Sequence, residues 1–362
     1  GSTATFNAYR RELERLLQWS WHIRQTSVHH LTREDIVEFI KFTLDPPVAW
    51  IGTKNVARFI RRDGERTPNP AWRPFVATVS KAEFRSGTAP DRKAYNPSQA
   101  AVRATFAVLS SFYDYLAQEC LVVANPVALI RQKSKFLRQD QNPALVRRIS
   151  DLQWDYVLET AELMATEQPN VHERTLFILT ALFAMYLRIS ELVTDERSAP
   201  TMGDFKKDRD GNWWLHVTGK GNKHRTVTVS DAMLEALKRY RKSRDLSPLP
   251  SPTDAAPLIP KVRGKGPVTS SRHLRLLVQQ CFDRTYTRMC EDGLKDDALD
   301  LKESTVHWLR HTGISEDVRS RPREHVRDDA GHATMATTDR YIESDQRERH
   351  FSGKKKPVKV FE

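Results

Sequence analysis

The sequence predicts a mainly α-helical protein with a small β-sheet, divided into two domains. Apolar residues recur at helical spacing in both halves of the 362-residue chain, and one hairpin signature lies in the second half. A basic segment broken by Asn142-Pro143 separates the halves and predicts a linker. We expect a helical domain over residues 1–135, a linker over 136–149, a second domain over 150–350 and a basic tail over 351–362.

Composition narrows the class of partner. The formal net charge of +12 favours a polyanion such as nucleic acid, although many basic proteins bind none. No apolar run reaches the roughly 18 residues of a membrane span, and no signal peptide opens the chain. The three cysteines, Cys120, Cys281 and Cys290, are too few for a disulfide framework or a zinc site. We therefore expect a cytoplasmic, nucleoid-associated bacterial protein without a membrane partner.

The first domain begins with two predicted helices over residues 3–45. The second of them starts at Thr32, which forms a capping-box pattern with Asp35. Prolines punctuate residues 46–97, which we interpret mostly as an inserted loop, with a short helix as an option over Val56–Arg62. Pro97 suits the start of the next helix. The apolar stripe of that helix is Val102, Phe106, Leu109, Phe112 and Leu116.

The second domain opens with another capping box, Ser150 to Gln153. Residues 175–186 are almost continuously apolar and predict a buried helix. A hairpin follows, with strands over 214–217 and 226–229 and a turn over 219–222. Further helices are expected from Leu234 and over residues 271–289.

Six polar residues suit one reaction, the cleavage of a DNA phosphodiester by a side-chain oxygen. That reaction needs an in-line nucleophile, cations around the non-bridging oxygens and a proton for the leaving oxygen. Guanidinium groups suit the second task because their planar fork never loses its charge. The six residues are Arg188, Lys220, His307, Arg310, His332 and Tyr341.

Each of these residues also has a plain structural interpretation. Arg188 is expected to end the buried helix, and Glu191 three residues later could orient it, but such pairs are commonly structural. Lys220 lies in the hairpin turn, where a lysine is often merely exposed. His307 and Arg310 share one face of a helix. His307, His311 and His332 could instead hold a metal, although no carboxylate or cysteine completes the ligand set.

The local motifs resemble those of the tyrosine recombinase family, which includes the phage integrases and the Xer proteins. They are Leu187-Arg-Ile-Ser-Glu-Leu192, Gly219-Lys-Gly-Asn-Lys-His-Arg225, His307-Trp-Leu-Arg-His-Thr312 and Gly331-His332 followed nine residues later by Tyr341. The resemblance implies an N-terminal helical core-binding (SAM-like) domain and a C-terminal mixed α/β catalytic domain. Asp328-Asp-Ala330 stands where the family usually carries leucines, so the packing of this helix is expected to differ.

The resemblance also implies roles. Tyr341 would attack the phosphate and remain joined to it as a 3′-phosphotyrosine, while Arg188 and Arg310 clamp it. Lys220 would protonate the leaving oxygen, and His307 and His332 would assist. No cofactor or metal is implied. The implied partner is double-stranded DNA at specific sites, bound by a homotetramer with optional accessory DNA-binding proteins.

Basic residues outside the motifs are further candidates for DNA contacts. Four lie in or next to the linker and two in the hairpin: Arg131, Lys133, Lys135, Arg138, Lys223 and Arg225.

Three other functions fit parts of the same pattern. A type IB topoisomerase-like enzyme or hairpin-forming resolvase would use the same residues. A DNA-binding regulator would keep the fold and cleave nothing. A metal nuclease would use His307, His311 and His332. Integration, excision or resolution of a mobile element is the biological role that we expect.

Overall fold

The computed structural model describes residues 3–130, 136, 147–219, 222–339, 341 and 353–354. Contacts divide the chain into two compact units, unit 1 (Gly1–Ala144) and unit 2 (Leu145–Glu362). The helices are α1 (Thr3–Trp19), α2 (Arg33–Leu44), α3 (Lys81–Arg85), α4 (Gln99–Gln118), α5 (Asp151–Glu167), α6 (Pro169–Ala184), α7 (Asp231–Lys242), α8 (Ser271–Glu291), α9 (Lys295–Glu303), α10 (Val306–Ser320), α11 (Arg323–Ala330) and α12 (Met335–Asp339). The strands are β1 (Ile51–Gly52), β2 (Phe59–Arg62), β3 (Glu65–Pro68), β4 (Phe75–Val76), β5 (Phe205–Lys207), β6 (Trp213–Thr218) and β7 (His224–Thr228).

The mainly helical fold with a small sheet is confirmed. Among the described residues, no helix is both long enough and apolar enough to cross a bilayer. Unit 1 is built on α1, α2 and α4, whose apolar faces form one core. That core includes Leu16, Trp19, Ile36, Phe39, Ile40, Val102, Phe106, Leu109, Tyr113 and Leu116. The predicted capping box of α2 is present, since Thr32 and Asp35 bond reciprocally.

Residues 46–97 contain more regular structure than the sequence analysis predicts. The optional helix over Val56–Arg62 is wrong, because β2 and β3 form an antiparallel ribbon there. Asp63 and Gly64 join the strands and both have positive φ, 51° and 84°, as a type I′ turn requires. A parallel pair, β1 with β4, anchors the segment on unit 1 through buried Phe75.

The start of α4 also differs slightly from the prediction. Pro97 lies before the helix, and Ser98 is the N-cap, because its hydroxyl accepts a hydrogen bond from the Ala101 amide. A serine side chain can satisfy an amide of the first turn, which a proline ring cannot do. The predicted apolar stripe of this helix is buried except for Phe112, which is half-buried.

Unit 2 has the larger core, formed by α5, α6, α8 and the sheet. The capping box from Ser150 to Gln153 starts α5 as predicted. The helix predicted over residues 175–186 exists as α6, but α6 ends at Ala184. Tyr186 takes φ of +50°, and Arg188 then precedes a short 3₁₀ turn over Ile189–Leu192. The expectation that Arg188 ends the buried helix is therefore wrong.

The predicted hairpin is confirmed as β6 and β7, in the three-stranded antiparallel order β5-β6-β7. Its register pairs Val217 with Arg225 and Thr218 with His224. Elsewhere in unit 2, α10 packs very closely on α6. A Cβ atom at Gly313 would lie 2.2 Å from the carbonyl oxygen of Phe183, so only glycine allows this approach. This close contact places α10 next to the residues that follow α6.

Candidate active site

Arg188 and Arg225 meet at one carboxylate, that of Glu191. The Arg188 Nη1 atom donates to Glu191 Oε1 at 3.0 Å, and the Arg188 backbone amide donates to Oε2 at 2.8 Å. Arg225 pairs with both carboxylate oxygens at 2.8 Å. The Glu191 side chain is 3% exposed and that of Arg188 is 33% exposed. The predicted Arg188–Glu191 contact is thus present, and it leaves the Arg188 fork partly open to a ligand.

The charge of Glu191 is held by its two partners. Burial raises the pKa of its carboxyl group, but hydrogen bonding and the charge of Arg225, followed by Arg188, outweigh burial and lower the pKa below its usual value. The carboxylate is therefore ionised at neutral pH and compensates two guanidinium groups.

Arg310 is buried, and main-chain carbonyls orient it. Its Nη1 atom donates to the Tyr186 carbonyl, and Nη2 donates to the Ala330 carbonyl at 2.6 Å. Burial, followed by the nearby charge of Arg188, lowers the pKa of Arg310 to about 10. The group remains cationic at pH 7, and only 5% of the residue is exposed. A buried cation with neutral partners is poised for an anionic ligand.

The backbone conformation of Tyr186 explains how the Tyr186 carbonyl reaches Arg310. A φ of +50° is costly for a residue with a large side chain, and the conformation turns the chain directly after α6. The Tyr186 hydroxyl is fixed by Asp317 and by Arg321, whose Nη1 atom donates to it at 2.9 Å. We infer that this network keeps the strained residue in place.

His332 lies between Arg310 and a threonine of α12. Its Nε2 atom is 3.4 Å from Arg310 Nη2, and its Nδ1 atom is 2.9 Å from Thr338 Oγ1. Arginine can only donate, so Nε2 accepts and Nδ1 carries the proton. Burial, followed by the charges of Arg310 and Arg188, lowers the pKa of His332 to about 4. The imidazole is neutral at pH 7.

Tyr341 lies beside two histidines. Its hydroxyl is 2.6 Å from Nδ1 of His311, and its ring stacks on His332 with centroids 5.8 Å apart. Burial lowers the pKa of His311 to about 4, with the charges of His307 and Arg310 adding to the effect. The neutral Nδ1 atom can therefore accept the phenolic proton. His307 is exposed, with its ring 6.4 Å from that of His311.

Asp329 secures the helix that carries His332. The Thr228 amide and hydroxyl donate to its Oδ1 atom at 3.1 and 3.2 Å, and Arg321 donates to Oδ2 at 2.6 Å. The Thr228 bonds tie α11 to β7, and the ion pair with Arg321 ties it to the end of α10. Polar contacts thus hold this helix at positions where the family usually carries leucines. Gly331 follows with φ of +65°, and a Cβ atom there would lie 2.8 Å from the Arg225 side chain.

The structure brings Arg188, Arg310, His332 and Tyr341 to one site, with His307 at its edge. Lys220 lies outside the described residues, although Gly219 before it lies against Glu191. Of the DNA-binding candidates, Arg131, Lys133, Lys135 and Arg138 also lie outside them, and Lys223 is exposed.

Arg225, which is also a candidate for a DNA contact, is engaged within the protein. Its Nε atom donates to the Asp329 carbonyl at 3.0 Å, its two terminal nitrogens bind Glu191, and its side chain is 10% exposed. Three of the five N–H groups of its guanidinium are thus engaged within the protein. We assign Arg225 to support of Glu191, and its contact with DNA stays a prediction.

His311 appears in the sequence analysis only as a possible metal ligand, and the structure places it against the hydroxyl of Tyr341. The sequence signal for a role in the site is that His311 directly follows Arg310 within the His307–Thr312 motif. Among the residues that the structure describes, no three His, Cys, Asp or Glu side chains form a group that could hold a metal ion.

Glu191→Ala should destabilise unit 2 by about 3–5 kcal/mol, because it leaves two buried or half-buried arginines without their anion. Urea unfolding measures this loss. Glu235→Ala, which removes an exposed carboxylate paired with Lys238, is the matched control and should change stability by less than about 1 kcal/mol. Equal effects of the two substitutions would show that the Glu191 cluster is not stabilising.

Comparison with known proteins identifies the family. Residues 156–348, more than half of the chain, match the model of the phage integrase family. The chain belongs to the phage integrase family. The tyrosine recombinase XerC of Chlorobaculum parvum is 24% identical over 244 residues, 65% of this chain and 66% of that protein. The match thus spans just under two thirds of that relative's length.

Two solved structures share the fold of this family member. XerH site-specific recombinase bound to palindromic difH substrate, in a post-cleavage complex, matches 97% of this chain and 80% of that one. Its TM-score is 0.60 at 14% identity. The Tn1549 transposon integrase in complex with transposon right end DNA matches 98% and 94%, with a TM-score of 0.56 at 14% identity. At such identities the likeness shows the fold alone.

Proposed function

We propose that this phage integrase family member is a site-specific DNA recombinase that cleaves and rejoins strands through a 3′-phosphotyrosine. The observation that carries the proposal is the Tyr341 hydroxyl, hydrogen-bonded to His311 and stacked on His332, which in turn contacts Arg310. A phenol, a proton acceptor and cations in one place are the groups that the reaction needs.

The proposed reaction keeps the energy of the broken bond. The Tyr341 oxygen attacks phosphorus, and His311 accepts the phenolic proton as the new O–P bond forms. Arg188 and Arg310 neutralise the charge on the non-bridging oxygens. The bond to the 5′ oxygen breaks, and that oxygen takes a proton from Lys220, the role that the family resemblance gives it. A 5′ hydroxyl of a second DNA end then reverses these steps, releasing Tyr341.

A nicked suicide substrate tests the proposal. The substrate would be a duplex from the DNA that the purified protein protects near its own gene, with a nick that lets the cleaved fragment diffuse away. We expect a protein–DNA adduct that survives denaturant and forms equally well with a chelator present. Absence of the adduct on protected DNA would favour the non-cleaving regulator, and loss of cleavage to chelators would favour the metal nuclease.

Strand exchange separates recombination from relaxation. We expect exchange between two copies of the protected site on one plasmid, and a tetramer on the paired sites. Relaxation of any supercoiled plasmid, without exchange, would instead indicate a topoisomerase-like enzyme. The biological role that we propose is integration, excision or resolution of a mobile element. The location of the protected site in the host DNA would distinguish these three roles.

His311→Gln should slow adduct formation about 10²-fold, within the usual contribution of a general base, and leave DNA affinity unchanged. Because the pKa of His311 is about 4, the wild-type rate at subsaturating DNA should hold from neutral pH down to about pH 5. Below that it should fall as the imidazole becomes protonated. His325→Gln, at an exposed histidine of α11, is the control. An unchanged rate in His311→Gln would remove His311 from the reaction.

A further inference from the structure

The β2–β3 ribbon of unit 1 lies in a strongly basic segment of the chain. Residues 46–97 contain ten lysines and arginines and four acidic residues, so they supply +6 of the net charge of +12. The ribbon has only two strands, paired from Phe59 with Pro68 to Arg62 with Glu65. A positive, two-stranded ribbon has little of its own to stabilise it, which points to a role in binding.

The two faces of the ribbon differ in charge. Side chains alternate along a strand, so Phe59, Arg61 and Arg66 share one face, whereas Arg62 and Glu65 lie on the other. Arg61 is directly opposite Arg66, and like charges in that position are destabilising. Neither arginine forms an ion pair with any described residue. An anion bound between them would remove this repulsion.

Aromatic rings hold two arginines near this face, Arg66 and Arg58, in place. The Arg66 guanidinium lies 4.3 Å from the centroid of Phe59. The Arg58 guanidinium also lies over the Phe59 ring, 5.4 Å from its centroid, and lies 5.2 Å from the centroid of Trp72. A guanidinium that stacks through its face keeps its N–H edge free to donate. Because the stack already restrains Arg66, binding through its N–H edge costs little further side-chain entropy.

The same face opens on a cleft of about 1180 Å³. Phe59, Arg61 and Arg66 line it, together with Arg10 of α1, and Arg62 does not. Two acidic residues also lie along the cleft, but both are already paired. Glu12 binds Arg11 and Arg15, and Glu14 binds Arg58 at 3.1 Å. The unpaired charge at the cleft is therefore positive.

We propose that the Arg61–Arg66 face of the ribbon binds the phosphate backbone of duplex DNA, as a contact of unit 1 that is separate from the active site. The partner rests on the proposed function, in which DNA is the substrate. Phosphate oxygens match the free N–H edges of the two arginines. A contact made to phosphates is independent of sequence.

Salt-dependent binding tests the proposal with the full chain carrying Tyr341→Phe, so that no result depends on cleavage. The probe is a random-sequence duplex of about 40 base pairs, and each phosphate contact adds about 0.9 to the slope of log K against log salt. Arg61→Gln with Arg66→Gln should make the slope shallower by about 1.8 and weaken binding at low salt. Arg62→Gln, which removes one charge on the opposite face, should leave the slope nearly unchanged.

Arg61→Lys with Arg66→Lys keeps both charges and should retain most of the slope, which separates lost charge from a disturbed ribbon. A double glutamine variant that binds like Arg62→Gln would overturn the proposal. So would a loss in Arg62→Gln that is half of the loss in the double glutamine variant, because binding would then depend on total charge and not on this face. Failure of the suicide-substrate assay would leave this binding result intact, so the two proposals fail separately.

Discussion

Tyr341→Phe will bind DNA and form no covalent complex. The substitution removes the only atom that can join phosphorus and keeps the ring, which stacks on His332 and packs with Tyr186, Ile314, Val326 and Ala330. Because phosphate contacts by cations provide most of the affinity for DNA, the dissociation constant should change by less than about threefold. Denaturing gels with the nicked substrate measure the adduct, and equilibrium titration measures the affinity.

Tyr286→Phe is the matched control for this experiment. Tyr286 is a half-buried tyrosine of α8 whose ring contacts the Lys302 ammonium. It should form adduct at the wild-type rate. An adduct with Tyr341→Phe would mean that another side chain is the nucleophile, and the proposed chemistry would then be wrong at its central step.

Arg310→Ala will lower the rate of adduct formation by about 10²–10³-fold, the usual effect of removing one donor that stabilises transition-state charge. Arg310→Lys should recover little of it, because an ammonium cannot bond the two carbonyls and the phosphate with one planar fork. Single-turnover cleavage at saturating DNA isolates this effect from binding.

The substitution should also destabilise unit 2, since the carbonyls of Tyr186 and Ala330 lose their donor at about 1–3 kcal/mol each. Cleavage is therefore compared at a temperature where circular dichroism shows the variant folded. Arg319→Ala, at an exposed arginine of the same helix, is the control for charge. Cleavage by Arg310→Ala at the Arg319→Ala rate would remove Arg310 from the active site.

Local features of the fold could be predicted because their causes lie within a few residues. The capping boxes at Thr32 and Ser150 each join residues three apart, and both are present. The β6–β7 hairpin follows from alternating apolar residues around a glycine-rich turn. The β2–β3 ribbon was missed although Asp63-Gly64 is a strong turn signal, because the surrounding prolines outweighed it.

Longer contacts could not be predicted, because nothing near either residue specifies its partner. Arg225 and Glu191 are 34 positions apart, and His311 and Tyr341 are 30 apart. The sequence therefore does not show that folding turns Arg225 onto the Glu191 carboxylate. The end of α6 was misplaced for a similar reason, since the left-handed turn at Tyr186 is held by Asp317 and Arg321 from a distant helix.

The sequence by itself determined the helices, the hairpin, the excess of positive charge and the order of the motifs, because spacing and residue type are local properties. The tertiary structure decided which of those residues share one site and what state they are in. Burial, with the nearby charge of Arg310, keeps His311 and His332 neutral. A carbonyl turned by a strained backbone fixes the guanidinium of Arg310. Such effects depend on distances through space, which only the packed chain defines.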